Sequence, residues 1–153
     1  MRKVDREKQV NITNKRANYE YNLLQKYTAG IQLFGTEIKS VRDGNVNLSD
    51  AFCFFLNEEL FMRNMHIGTF KQGSYNNHEP LRIRKLLLKK SELNKLRIKA
   101  AERGLTIVPL KMFISETGYA KVEIAVAQGK KSFDKRESIK ERDVERQMRR
   151  EKF

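Results

Sequence analysis

A chain of 153 residues with 39% hydrophobic and 33% charged residues, a formal net charge of +13 and one cysteine is long enough for one domain with a real core. It excludes a disulfide framework; no apolar run reaches membrane-spanning length, and Met1–Thr13 lacks the apolar stretch of a secretory leader. The positive excess points to a polyanionic partner, nucleic acid before an anionic membrane surface, and a soluble cytoplasmic protein is expected.

In chain order, residues 1–13 are polar and expected to be flexible. From Tyr19, YEYNLLQKYTAGIQLF alternates and is rich in aromatics, as a strand does, with Ala29-Gly30 as a bend or bulge. TEIKSVRDG predicts a short helix, with Thr36 as its cap, Ile38 and Val41 on one face and Gly44 as its stop. AFCFFLN reads as a buried strand, Asn57-Glu58-Glu59 as a turn, and LFMRNMHI as the returning strand. GTFKQGSYNNHEP is a long polar loop, and LRIRKLLLKK suits helix or strand equally. Ser91 then caps a helix that Gly104 ends, with Leu93, Leu96 and Ala100 as an apolar stripe and Lys95, Lys99 and Arg103 as a basic one. LTIVPLKMFIS and YAKVEIAVAQ form a hairpin around Glu116-Thr117-Gly118. About six strands broken by short helices predict a mainly β fold, a small antiparallel barrel of the OB type over residues 14–129.

Catalysis needs a constellation of groups, and the chain offers none. His66 and His78 are not spaced as metal ligands, and there is no phosphate-cradling Gly-rich loop, nucleophile elbow or zinc pattern. The carboxylates are interleaved with Lys and Arg, which favours ion pairing over proton transfer. His66 reads as a packed strand-end residue, His78 as a loop residue in water, and Cys53 as a buried reduced thiol. No enzymatic activity, metal or cofactor is expected.

The functional signal lies in basic clusters. One is Asn14-Lys15-Arg16, beside Tyr19 and Tyr21. A second is Arg82, Arg84, Lys85, Lys89 and Lys90; from Glu79 to Gly104 nine Lys/Arg meet three Glu, a self-repulsion that gives a monomer no stability. Lys39 and Arg42 lie three apart on the predicted helix, with Asn45 and Asn47 after its Gly44 stop. The plain reading of that segment is a capped helix and a turn; the functional one is a helix end offering donors to folded RNA.

A further cluster, Lys130, Lys131, Lys135 and Arg136 around Phe133, opens the tail. From Gly129 to Phe153 the chain carries ten Lys/Arg and six Asp/Glu in 25 residues, with too few apolar side chains to offset ordering entropy. Yet after Phe133 it has no Gly or Pro, and good helix formers dominate. Pairs such as Glu137 with Lys140 add only about 0.2–0.5 kcal/mol each. Residues 130–153 are therefore expected to be disordered alone and helical in an anionic groove.

NKRANYEY, GTEIKSVRDGNVNLSDA, PLRIRKLLLKKSEL, RGLTIVPLK and GKKSFDKRESIKERD, in this order from Asn14 to Asp143, closely resemble the family of SsrA-binding proteins, also called small protein B. The resemblance implies an OB-like barrel that binds the tRNA-like domain of transfer-messenger RNA for trans-translation on stalled ribosomes. Elongation factor Tu would then be met through the charged RNA. It implies RNA-facing roles for Asn14, Lys15, Arg16, Lys39, Arg42, Asn45, Arg82, Arg84 and Lys85. It also implies that the tail, through Lys130, Lys131, Phe133, Asp134, Lys135 and Arg136, engages the decoding centre and the empty mRNA channel. One departure is Thr28, where many members carry an acidic residue. A ribosomal-RNA-binding structural or assembly protein is the alternative class.

Overall fold

The computed structural model describes residues 10–70 and 77–129. Its elements are β1 (Asn11–Thr13), α1 (Lys15–Glu20), β2 (Tyr21–Ile31), α2 (Gly35–Arg42), β3 (Val46–Asn47), β4 (Phe52–Leu56), β5 (Glu59–Arg63), β6 (His66–Ile67), β7 (Arg84–Leu87), α3 (Lys90–Ala100), β8 (Leu105–Ile114) and β9 (Ala120–Gly129). The main sheet runs β1-β8-β4-β5-β7-β2-β9, and β8 also pairs with β9. That last pairing closes six strands into an antiparallel ring, with β1 added on the edge of β8. This is the small barrel that the strand spacing predicts, and closure removes the exposed edges an open sheet would have to protect.

The ring encloses Leu60, Met62, Leu86, Ile107, Met112, Val122, Ile124 and Val126, all at most 2% exposed. Each such side chain contributes roughly 1.5–3 kcal/mol on burial. Two helices add to this core, α2 through Val41 and α3 through Leu96. They sit toward opposite ends of the barrel. α2 follows the C-terminal end of β2, whereas α3 leads into Leu105, which lies opposite Gln128, itself opposite Asn22 at the start of β2.

β9 is apolar on both faces because both are covered. Val122, Ile124 and Val126 point inward, while Ala125 and Ala127 join Val108 and Leu110 beneath Ala17 of α1. Small residues on β9 let the short helix lie close to the sheet. α1 itself was not expected from the sequence, which reads as strand from Tyr19 and gives residues 15–18 no element; Tyr19 and Glu20 instead end the helix.

Local details differ from expectation for physical reasons. Asn11–Thr13 pairs with Lys111–Phe113, so the ordered body begins before Asn14. The irregularity in β2 falls between Leu23 and Gln25; Ala29 and Gly30 keep regular pairing, and Gly30 sits opposite both Lys121 and Leu87. LRIRKLLLKK yields a strand at Arg84–Leu87, because the barrel needs one to join β5 to β2. α2 and α3 start two residues earlier than caps at Thr36 and Ser91 would place them. Their caps use the third helical residue instead: Glu37 accepts the Phe34 N–H at 2.7 Å and Glu92 the Lys89 N–H at 3.1 Å.

Candidate nucleic-acid interface

At the α2 end of the barrel a buried charge cluster organises the surface. Glu37 is fully buried on the inner side of α2. Its Oε2 accepts from Arg84 Nε at 2.7 Å and Arg82 Nε at 3.0 Å, and its Oε1 accepts from Arg82 Nη2 at 2.7 Å. Arg84 is also fully buried and donates to the Met65 carbonyl at 2.8 Å and the Pro80 carbonyl at 3.2 Å. Burial alone would raise the Glu37 pKa, but the bonds from Arg82, from the Phe34 N–H and from Arg84 outweigh it and hold the carboxyl below its ordinary range. Burial lowers the Arg84 pKa, against the pull of Glu37.

His78 ties the neighbouring loop to the same helix. Its Nε2 lies 2.9 Å from the Ile67 carbonyl and its Nδ1 2.9 Å from Thr36 Oγ1. Nε2 must donate to the carbonyl, so in the neutral ring Nδ1 accepts from the hydroxyl. A buried, bonded histidine thus replaces the solvated loop residue expected from the sequence, and Thr36 serves this contact rather than the cap.

Above this base α2 presents Lys39 and Arg42 to solvent, and Asn45 follows Gly44, whose φ of +77° suits glycine. Among the described residues no carboxylate lies within 4 Å of Lys15, Lys39 or Arg42. Lys39 Nζ sits 5.4 Å from the centre of the Phe70 ring. Asn45 bonds through its carbonyl to the Gly68 N–H at 3.0 Å, and a Cβ at Gly68 would run into the Asn45 amide. Arg82 is half-buried and stacks on Phe34.

The other residues singled out in the sequence are differently placed. Asn14 is buried; its Nδ2 donates to the carbonyls of Pro109 at 2.9 Å and Leu48 at 3.2 Å, and its Oδ1 accepts the Ala17 N–H that starts α1. It closes the gap on β8 between β4 and β1, and its donors are spent inside the fold. Arg84 is likewise internal. Neither side chain reaches the surface. Arg16 is exposed but bound to Glu20 and Asp50, both at 2.8 Å, and Lys85 is bound to Glu59 at 2.8 Å. Lys15 is exposed on α1, which Asn14 and Arg16 tie to residues 48–50, the segment running on from Asn45. Lys15, Lys39, Arg42 and Asn45, with Lys89 and Lys90 of the second cluster, are thus exposed donors, while Arg82 is half-buried. The sequence missed Glu37 and His78. Only the Glu three residues after Phe34 hinted at the first, and nothing local at the second.

The tail positions Lys130, Lys131, Phe133, Asp134, Lys135 and Arg136 lie outside the described residues. Their root, Gly129, is opposite Tyr21, at the barrel end away from α2. Among the described residues, surface grooves of about 320, 430 and 440 Å³ lie on the barrel's outside with no histidine in their lining. Cys53 is buried and its thiol pKa is pushed up by desolvation. Among the described residues no three His, Cys, Asp or Glu converge as a metal set, and no helix is long and apolar enough to cross a membrane.

A profile of the SmpB protein family matches residues 11–152. The SsrA-binding protein of Cytophaga hutchinsonii is 56% identical over 143 residues, covering 94% of each chain. That of Bacteroides thetaiotaomicron is 55% identical over 141 residues, covering 92% of this chain and 94% of its own. That of Thermosipho melanesiensis is 50% identical over 137 residues, covering 90% and 93%. A solved structure described as "tmRNA-SmpB: a journey to the center of the bacterial ribosome" superposes with a TM-score of 0.69 at 47% identity, over 80% of this chain and 85% of that one.

Proposed function

The chain belongs to the SmpB family of SsrA-binding proteins, and from that premise we propose that it is an RNA-binding adaptor of trans-translation. It binds the tRNA-like domain of transfer-messenger RNA and brings it to stalled ribosomes. It acts in the cytoplasm by binding rather than by catalysis. Residues 11–129 form the RNA-binding body, and residues 130–153 the part that engages the decoding centre and the empty mRNA channel. Elongation factor Tu is met through the charged RNA.

The observation that carries the body's role is the set of exposed cations on a rigid base. Lys39 and Arg42 have no carboxylate partner among the described residues, while beneath them Glu37 is already paired with both Arg82 and Arg84, leaving that cluster net positive. Contacts of this kind read phosphate, sugar and RNA shape rather than base sequence. Asn14 and Arg84 support the surface from within. Equilibrium binding to the tRNA-like domain across a salt series tests the reading. Lys39→Ala and Arg42→Ala should each weaken binding and flatten the plot of log affinity against log salt by about one phosphate contact. If both variants bind with the wild-type slope, the RNA lies on another face.

A further inference from the structure

We propose that Phe34 is a stacking platform for one unpaired nucleobase of the bound RNA. The inference rests on the RNA-binding reading above and adds a contact that the basic clusters do not supply. Phe34 precedes α2 and is 55% exposed. One face of its ring is occupied: the Arg82 guanidinium carbon lies 3.9 Å from the ring centre. That cation is fixed, since two of its nitrogens bond both oxygens of Glu37 and one of them also donates to the Gln32 carbonyl at 3.3 Å. The same carboxylate holds the Phe34 backbone N–H at 2.7 Å.

One buried group therefore locks the ring's backbone and the cation beneath it. The ring has only two side-chain torsions, so little freedom remains to be lost when a base covers its open face. Bases stack on such rings with little regard to sequence. Lys39 and Arg42 follow on the same helix, about 7 and 12 Å further along at 1.5 Å per residue, within reach of phosphates adjoining a stacked base. A protein partner would also value an exposed ring, the more so with Leu81 and Ile83 exposed on either side of Arg82 in sequence. The charge favours RNA: Glu37, the carboxylate bonded here, is buried and spent on two arginines, so the surface offers cations and an aromatic face together.

The test uses the full chain and the tRNA-like domain of transfer-messenger RNA. Phe34→Ala and Phe34→Leu should weaken binding about five- to 150-fold, the range for a lost base stack, without changing the salt slope. Phe34→Trp should restore affinity. The chain has no tryptophan, so the introduced indole is a sole reporter, and a stacked base should quench its fluorescence on adding RNA. Phe34→Leu binding like wild type, or an indole unchanged by RNA, overturns the platform. So does a Phe34→Ala variant that keeps RNA affinity and loses ribosome association, which would make the ring a protein-docking surface. If the folded wild type fails to bind this RNA, the adaptor reading falls and the platform with it. If wild type binds and only Lys39→Ala weakens it, the platform alone falls.

Discussion

At Glu37 a single carboxylate accepts from Arg82, Arg84 and the Phe34 N–H without any exposure to water. Its folded pKa is depressed, so its contribution to stability is present above the unfolded value of roughly 4.3 and is lost as pH falls through the folded value. Thermal unfolding should therefore show a falling midpoint below about pH 4. Glu37→Gln should flatten that acid limb and cost about 3–5 kcal/mol at neutral pH, because Arg84 is left buried and uncompensated. A variant as stable as wild type at pH 7 would show that water reaches Arg84. Asn14 is the second residue whose role burial decides. Asn14→Ala removes the amide donor shared by the Pro109 and Leu48 carbonyls, of which Leu48 keeps the Ala51 N–H at 3.0 Å, and should cost about 1–3 kcal/mol in denaturant unfolding. Its RNA salt slope should stay at the wild-type value. A slope change without a stability loss would return Asn14 to the interface. In both cases the residue type was visible in the sequence. The side chain's direction was not.

Among the elements, the β4–β5 hairpin shows how a turn is made with imperfect residues. Leu56 lies opposite Glu59, which leaves Asn57 and Glu58 as a two-residue loop with φ of +53° and +67°. Both signs match the turn that follows the right-handed twist of paired strands, and Asn suits its place. Glu58 does not, since a side chain in the left-handed region costs about 1–2 kcal/mol. Glu58→Gly should relieve that strain against a smaller loss of chain entropy, a net gain of about 0.5–1 kcal/mol readable as a higher unfolding midpoint. A lower midpoint would mean that the Glu58 side chain makes a contact worth more than the strain. The turn was legible from Asn57-Glu58-Glu59. α1 was not, because a six-residue helix has little stability of its own and forms by laying Ala17 on Val108, Leu110, Ala125 and Ala127, distant in sequence.

For the whole molecule, the division of labour follows from the ring of strands. The ring closes within residues 21–129, so deleting 130–153 should leave the barrel's unfolding midpoint unchanged. The α2 cations lie toward one end of that ring and the tail's root toward the other. A chain lacking 130–153 should thus keep specific binding to the tRNA-like domain and lose peptide tagging on stalled ribosomes. The lost charge, +4 of +13, should weaken binding only in a general, salt-screened way. Normal tagging by the shortened chain would sink this division; loss of specific RNA binding would make the tail an RNA-binding arm. By itself the sequence determined the polyanionic partner, the strand-rich pattern, the α2 and α3 segments and the family motifs, because charge, periodicity and short motifs are local properties. Only the tertiary structure decided which polar residues are buried and which are exposed. Glu37 and Arg84 stand 47 residues apart, and Asn14 and Pro109 stand 95 apart. Such pairs meet only once the barrel has closed, and it is closure that turns a legible basic motif into one buried arginine, one stacked on a ring and a few left free to bind.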